Sequence, residues 1–252
     1  MTINTSALGV VAATVLLAGC AHTPPKASPA PRAADRPFVL EAPVEGTTAP
    51  TLGDLAPTDV FRDPAAVRRA AGTCNGDANA CVVRGLRAVH APPKAIRVAQ
   101  LLGGIFFTSI EAHGVVSTAT SDDIYAANSN EQTWIVNGHP QLIFANITEE
   151  EIARAIAVNP SLTAVLAPGV DPSKFMVSGD AAQLIATRAV AGGNTLYVFR
   201  QRIVDDCHAC RTVAYIEFGF EFDASGNAVR KEFLMLSGDA RAPGASKTIP
   251  GR

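Results

Sequence analysis

Apolar and polar positions change period along this chain, and the clearest pattern lies near its C-terminal end. Over residues 211–222, Ala214, Ile216, Phe218, Phe220 and Phe222 share one side of an extended chain, while Arg211, Glu217, Gly219 and Glu221 share the other. A period of two predicts a strand with one buried face. Residues 194–205 and 229–236 read as the strands before and after it, the second reached through the turn-forming run Asp223-Ala224-Ser225-Gly226-Asn227. Together they predict an antiparallel meander with one aromatic face. A helix is needed to cover that face, and residues 181–190, with Asp180 as cap and Gly192-Gly193 as stop, are the natural candidate.

Upstream the period is helical. Asp63 followed by Pro64 marks a helix start, and Gly72 its end. Val82, Leu86 and Val89 share a face in a second helix over residues 80–90, in which Gly85 is an unfavourable residue. Residues 94–102 form a third, after Pro92-Pro93. Residues 105–116 are rich in Ile, Phe, Thr and Val and predict a strand, with Ser121-Asp122-Asp123 as turn chemistry beyond it. Two short strands, 132–136 and 141–145, flank Asn137-Gly138-His139-Pro140. Thr148 with Glu151 three residues on forms a capping box for a helix over 149–158. The expected class is α+β: an antiparallel sheet with a C-terminal three-strand meander packed against helices, preceded by a short helical section. Residues 58–237 are expected to be a single α+β domain, and residues 238–252, with Pro, Gly and Ser, a disordered tail.

The N-terminal region has a different pattern. An apolar run over residues 7–18 is too short to span a bilayer, which needs roughly 20 apolar residues. It has the form of a signal-peptide core, and it ends in Leu17-Ala18-Gly19-Cys20. That tetrapeptide resembles the lipobox of bacterial lipoprotein signal peptides. The resemblance implies a signal peptide over residues 1–19, a diacylglyceryl group on the Cys20 thiol, and acylation (palmitate among the chains) of its amino group after cleavage. Each buried methylene contributes about 0.8 kcal/mol, so two or three chains anchor stably where one does not. One departure is that residues 1–6 contain no Lys or Arg. Ala21, rather than Asp, follows Cys20, which by the enterobacterial sorting rule implies the outer membrane, facing the periplasm. Residues 20–57 carry eight scattered prolines among Ala, Thr and Ser and read as a lipidated flexible linker, with Phe38-Val39-Leu40 a minor docking point.

Composition adds exclusions. The net charge of −2 and the absence of a dense basic cluster argue against nucleic acid as a partner. Arg68-Arg69 and Arg84/Arg87 read as solvated helix faces. Of five cysteines, four remain after Cys20: Cys74, Cys81, Cys207 and Cys210. An even set in an exported chain reads as disulfides, and the local pairing Cys74–Cys81 with Cys207–Cys210 asks least of the chain.

Chemistry is sparse. Cys207-His208-Ala209-Cys210 has the spacing of thiol oxidoreductases, but it falls between two strands, with no helix N-terminus to stabilise a thiolate and with Asp205 and Asp206 beside it. A metal site there would have only His208 in addition. His90, His113 and His139 are isolated, Glu149-Glu150-Glu151 suits a helix first turn, and Asp122-Asp123 suits a turn. No catalytic residue, cofactor or metal is indicated. The expected function is a membrane-anchored envelope lipoprotein that binds or assists another envelope component, with an envelope protein as partner. The alternatives are a thiol–disulfide redox protein using Cys207 and Cys210, or a small-ligand carrier using Phe218, Phe220 and Phe222.

Overall fold

The structure, a computed structural model, describes residues 40–42, 44–49, 52–74, 76–125, 131–207 and 210–238. The expected signal peptide, Cys20, His208 and the tail after Gly238 lie outside the described residues. The described chain opens with a short strand, β1 (Leu40–Ala42). The segment that follows was expected to be linker as far as residue 57, and its later part is instead packed. Ala49, Leu52 and Leu55 are buried. Asn137 grips the backbone of Leu55 from both sides, accepting its N–H at 2.7 Å and donating to its carbonyl at 2.9 Å. Three apolar side chains with a paired backbone outweigh the proline-rich composition here.

Three helices follow. In α1 (Pro64–Ala71) the Asp63 carboxylate accepts the Ala66 N–H at 2.8 Å, and Gly72 ends the helix at a φ of +66°. In α2 (Ala78–Ala88) Asp77 plays the same capping role toward Asn79. The third is α3 (Pro93–Leu101). Gly85 in α2 marks a close crossing: a Cβ there would lie 2.7 Å from the Val67 carbonyl oxygen of α1. Val67, Val82, Leu86, Ala95 and Ala99 close this helical cluster around Phe106 and Ile124.

The first sheet is four-stranded and antiparallel: β2 (Phe106–Ala112), β3 (Ser117–Asp122), β4 (Gln132–Val136) and β5 (Leu142–Phe144), in that order. The single strand expected over 105–116 is the first arm of a hairpin that turns at Gly114 (φ +87°), and Ser121 and Asp122 belong to its return arm rather than to a turn. The return arm, Ser-Thr-Ala-Thr-Ser-Asp, alternates small residues inward and has no bulky apolar side chain to reveal it.

Helix α4 (Glu149–Val158) carries the expected capping box, with Thr148 and Glu151 exchanging hydrogen bonds. The remaining strands are β6 (Phe175–Val177), β7 (Gln183–Ala189), β8 (Thr195–Asp205), β9 (Thr212–Phe222) and β10 (Ala228–Gly238). They form a six-stranded sheet of order β1-β10-β9-β8-β6, with β7 also on β8. The meander is therefore present, and the fold is α+β, mostly sheet.

The helix expected over 181–190 is a strand instead. Asp180 does not cap it; its carboxylate pairs with Arg202 at 2.6 Å. Gly192-Gly193 closes a hairpin into β8, with the Val190 N–H donating to the Asn194 carbonyl. The aromatic face is covered by α4, through Ile152 and Ala155, and by Ile135 and Ile143 of the four-stranded sheet. Phe199, Phe218, Phe220 and Phe222 are closed to solvent in that core. Phe199 stacks on Phe218 at 5.9 Å and meets Phe220 edge-on at 5.8 Å.

Candidate functional site

Both cysteine pairs form disulfides in the local pairing. Cys74–Cys81 ties the segment after α1 to the first turn of α2, and Cys207–Cys210 closes the tip between β8 and β9. Cys210 donates its backbone N–H to the Cys207 carbonyl, and Asp205 pairs with Arg211 at 3.7 Å across the base of the tip. The two bonds act as loop staples: closing loops of about eight and four residues contributes roughly 2.5 and 2 kcal/mol by chain entropy.

Several of the remaining sequence candidates make structural contacts. His113 Nε2 meets the Thr118 hydroxyl at 2.9 Å across the β2–β3 hairpin. His139 uses its backbone, accepting from the Ala228 N–H and donating to the Gly226 carbonyl, next to a cis bond to Pro140. Asp123 accepts the Tyr125 N–H in a local turn. Arg84 donates to the Ala71 carbonyl, and Arg69 pairs with Asp63 at 3.8 Å. Among the described residues no three His, Cys, Asp or Glu side chains gather as a metal set, and no helix is long and apolar enough to cross a membrane.

The concave feature of interest lies where the two sheets meet beside the first turn of α4. A cleft of about 210 Å³ is lined by Glu131 and Gln132 at the start of β4, Phe144 at the end of β5, Asn146 and Thr148 before α4, Ser178 after β6, and Gln201 of β8. Three of these polar side chains are almost fully buried: Asn146 is 7%, Ser178 3% and Gln201 2% exposed. Their orientation is dictated by backbone donors. The Thr133 N–H donates to Asn146 Oδ1 at 2.9 Å, and the Ile147 N–H donates to Gln201 Oε1 at 2.9 Å. Each amide must therefore turn its NH₂ group the other way, because only its oxygen can accept. Gln201 Nε2 reaches the Asp180 carbonyl only at 3.5 Å, and Asn146 Nδ2 donates to no group among the described residues. Gln132 Oε1 is buried and accepts no hydrogen bond. Leaving a buried polar group unsatisfied costs about 1–3 kcal/mol, and of this lining the Gln132 oxygen is buried in that state, so the wall suits a polar occupant.

Phe144, 37% exposed, stands at the mouth with its ring edge-on to Trp134 at 5.2 Å. Phe144, Asn146 and Thr148 also line a second chamber of about 420 Å³, with Glu45, Glu150, Glu151, Arg154 and Lys231 around it. The two chambers thus adjoin along the seam, with Phe144, Asn146 and Thr148 common to their walls. The cations of the second chamber are paired: Arg154 with Glu150 at 3.4 Å, and Lys231 with Glu151 at 2.5 Å. Lys231 Nζ also sits 5.5 and 5.3 Å from the Phe218 and Phe220 ring centres. The three glutamates expected only to favour the helix dipole do more than that. Glu149 accepts the Val177 N–H of β6, and Glu151 joins α4 to Lys231 of β10, so the first turn of α4 is fixed to the six-stranded sheet on both sides.

None of Asn146, Gln201, Ser178 or Phe144 stands out in the sequence as a candidate. One signal existed. Tyr197, Phe199, Gln201 and Ile203 occupy successive inward positions of β8, and glutamine in an apolar period-two row marks a place where the core must accept hydrogen bonds. Compared with known proteins, the chain matches no family, no curated protein and no solved structure.

Proposed function

We propose that the protein is a lipid-anchored binding module of the bacterial envelope, held by acyl chains on Cys20 at the outer membrane with its folded domain in the periplasm, and that the seam groove receives the envelope component it binds. The observation that carries the binding reading is the pair of buried amides in the cleft wall, Asn146 and Gln201, whose oxygens are fixed by backbone N–H groups, which leaves the Asn146 NH₂ without an acceptor among the described residues and the Gln201 NH₂ with only a long contact to the Asp180 carbonyl. Pre-oriented polar groups in a concave, partly apolar setting are the usual basis of ligand recognition, because they bind without first having to be ordered. The lipobox-like Leu17-Ala18-Gly19-Cys20 supports the location. Cys207 and Cys210, joined as a disulfide at the tip between two strands rather than at a helix N-terminus, favour a structural staple over redox chemistry.

The test has two arms in the native bacterium. Labelled palmitate should enter the protein and be lost with Cys20→Ser; failure to label removes the anchor. A photocrosslinking residue placed at Phe144 should capture a discrete envelope component that the same residue at Val158, exposed on α4, does not. Equal or absent capture at the two positions removes the groove as the binding site.

A further inference from the structure

We infer that the groove takes a neutral oligosaccharide segment, with one sugar ring in the 210 Å³ chamber stacked against Phe144; the inference rests on the binding reading above. Four observations lead there. First, the chamber is smaller than the roughly 300–1,000 Å³ of sites for drug-sized ligands, so it accommodates one ring or one unit of a chain rather than a large molecule. Second, its walls carry donors and acceptors together: the Asn146 NH₂, the Gln201 NH₂ and the Ser178 hydroxyl, the last two each with only a 3.5 Å contact to Asp180, and the Gln132 carbonyl oxygen, buried without a partner. Sugar hydroxyls donate and accept at once, so they match such a mixed wall where a purely acceptor ligand does not.

Third, the exposed Phe144 ring stands beside these groups, and the apolar C–H face of a pyranose covers an aromatic face while its equatorial hydroxyls reach the polar wall. Fourth, the charges exclude anions. No lysine or arginine lines the first chamber, and Glu131 and Glu149 do. In the second chamber both cations are paired, while Glu45 has no cation partner among the described residues. The adjoining chamber, which shares Phe144, Asn146 and Thr148 with the first, is where a second unit would lie, hence an oligosaccharide.

The chain carries its own reporter. Trp134 is the single tryptophan, and its ring meets Phe144 at 5.2 Å. The full-length protein, purified in a non-glycosidic detergent, is titrated with cellotriose, with triacetylchitotriose, with glucose and with trialanine, following tryptophan emission and, in parallel, heat of binding. The expected result is saturable binding of at least one neutral trisaccharide, weaker binding of glucose, and a loss of tenfold or more in affinity for Phe144→Ala and for Asn146→Asp. Asn146→Asp keeps the acceptor for the Thr133 N–H and removes the donor. Phe144→Ala alters an exposed ring and keeps the test decisive if the first variant fails to fold. Absence of saturable trisaccharide binding, or binding unchanged in both variants, overturns the inference, and so does binding of trialanine in place of the sugars. If sugars fail while photocrosslinking at position 144 still captures an envelope component, the oligosaccharide falls and the binding module stands. If both fail, both readings fall.

Discussion

Two neighbouring inward positions of β8, Phe199 and Gln201, differ in how the same sheet face is stabilised. Phe199 is 0% exposed and packs in the apolar inter-sheet core against the rings of Phe218 and Phe220. Gln201, one pleat further along and opposite Ile216 in register, is equally closed but is held by the Ile147 N–H and lines the cleft. The dry end of the sheet gains from area removed from water, at about 25 cal/mol per Å². The wet end gains nothing from burial as such and depends on every polar group finding a partner. Binding belongs at the second kind of place, because groups left partly unsatisfied by the fold are the ones a ligand can satisfy.

The largest effect should come from the dry end. Phe199→Ala removes a ring shared by Phe218 and Phe220, and should cost about 3–5 kcal/mol in denaturant unfolding. A loss under about 1 kcal/mol would mean that the core can collapse around the gap and that the face is less tightly packed than the ring geometry indicates. At the wet end, Gln201→Met keeps length and volume and deletes both amide functions. It strands the Ile147 N–H, so the expected cost is about 1–3 kcal/mol. Unchanged or raised stability would show that Ile147 finds another acceptor and would erase the contrast between the two positions.

How far each region could be read from the sequence follows the same division. The meander was legible because Ala214, Ile216, Phe218, Phe220 and Phe222 repeat one signal along β9, and α4 because Thr148 and Glu151 carry a local cap. Strand β7 was not. Its apolar positions, among them Leu184 and Ile185, fit a helix as well as an edge strand, and only pairing with β8 decides. Strand β3 hid behind small polar residues. The cleft was least legible of all, since it joins Asn146 to Gln201 through a hydrogen bond, Ile147 to Gln201, that spans 54 positions. No local pattern encodes such a meeting. Gln201 alone, out of place in an apolar row, hinted at it.

Lys231 lies on the boundary between the two regions, over the rings of Phe218 and Phe220 yet paired with the partly exposed Glu151. Lys231→Met replaces a cation that must be desolvated by an apolar chain of similar length, and it leaves Glu151 with its capping bond from the Thr148 N–H and with access to water. The two effects nearly offset, so stability should stay within about 1 kcal/mol of the parent. A loss of 3 kcal/mol or more would place Lys231 with Gln201, as a polar group the fold depends on.

The smallest effect should come where the same kind of hydrogen bond is made in full contact with water. In the β9–β10 turn, Asp223 accepts from the side chain of Asn227 at 2.8 Å and from the backbone N–H groups of Asn227 at 2.9 Å and Ser225 at 2.8 Å. These bonds, the Asn227 side chain first among them, hold its carboxyl below the usual range, with burial opposing slightly. A depressed folded-state value means that the stabilisation is complete above the ordinary aspartate value of about 3.9 and disappears as pH falls through the lower folded one. Asp223→Asn should therefore differ from the parent near neutral pH and converge with it in acid. Unfolding midpoints compared from about pH 6 down to about pH 2 would show it. A constant gap at every pH would mean that the carboxylate's charge contributes nothing to the turn, and that position 223 is held by shape and hydrogen-bond geometry alone.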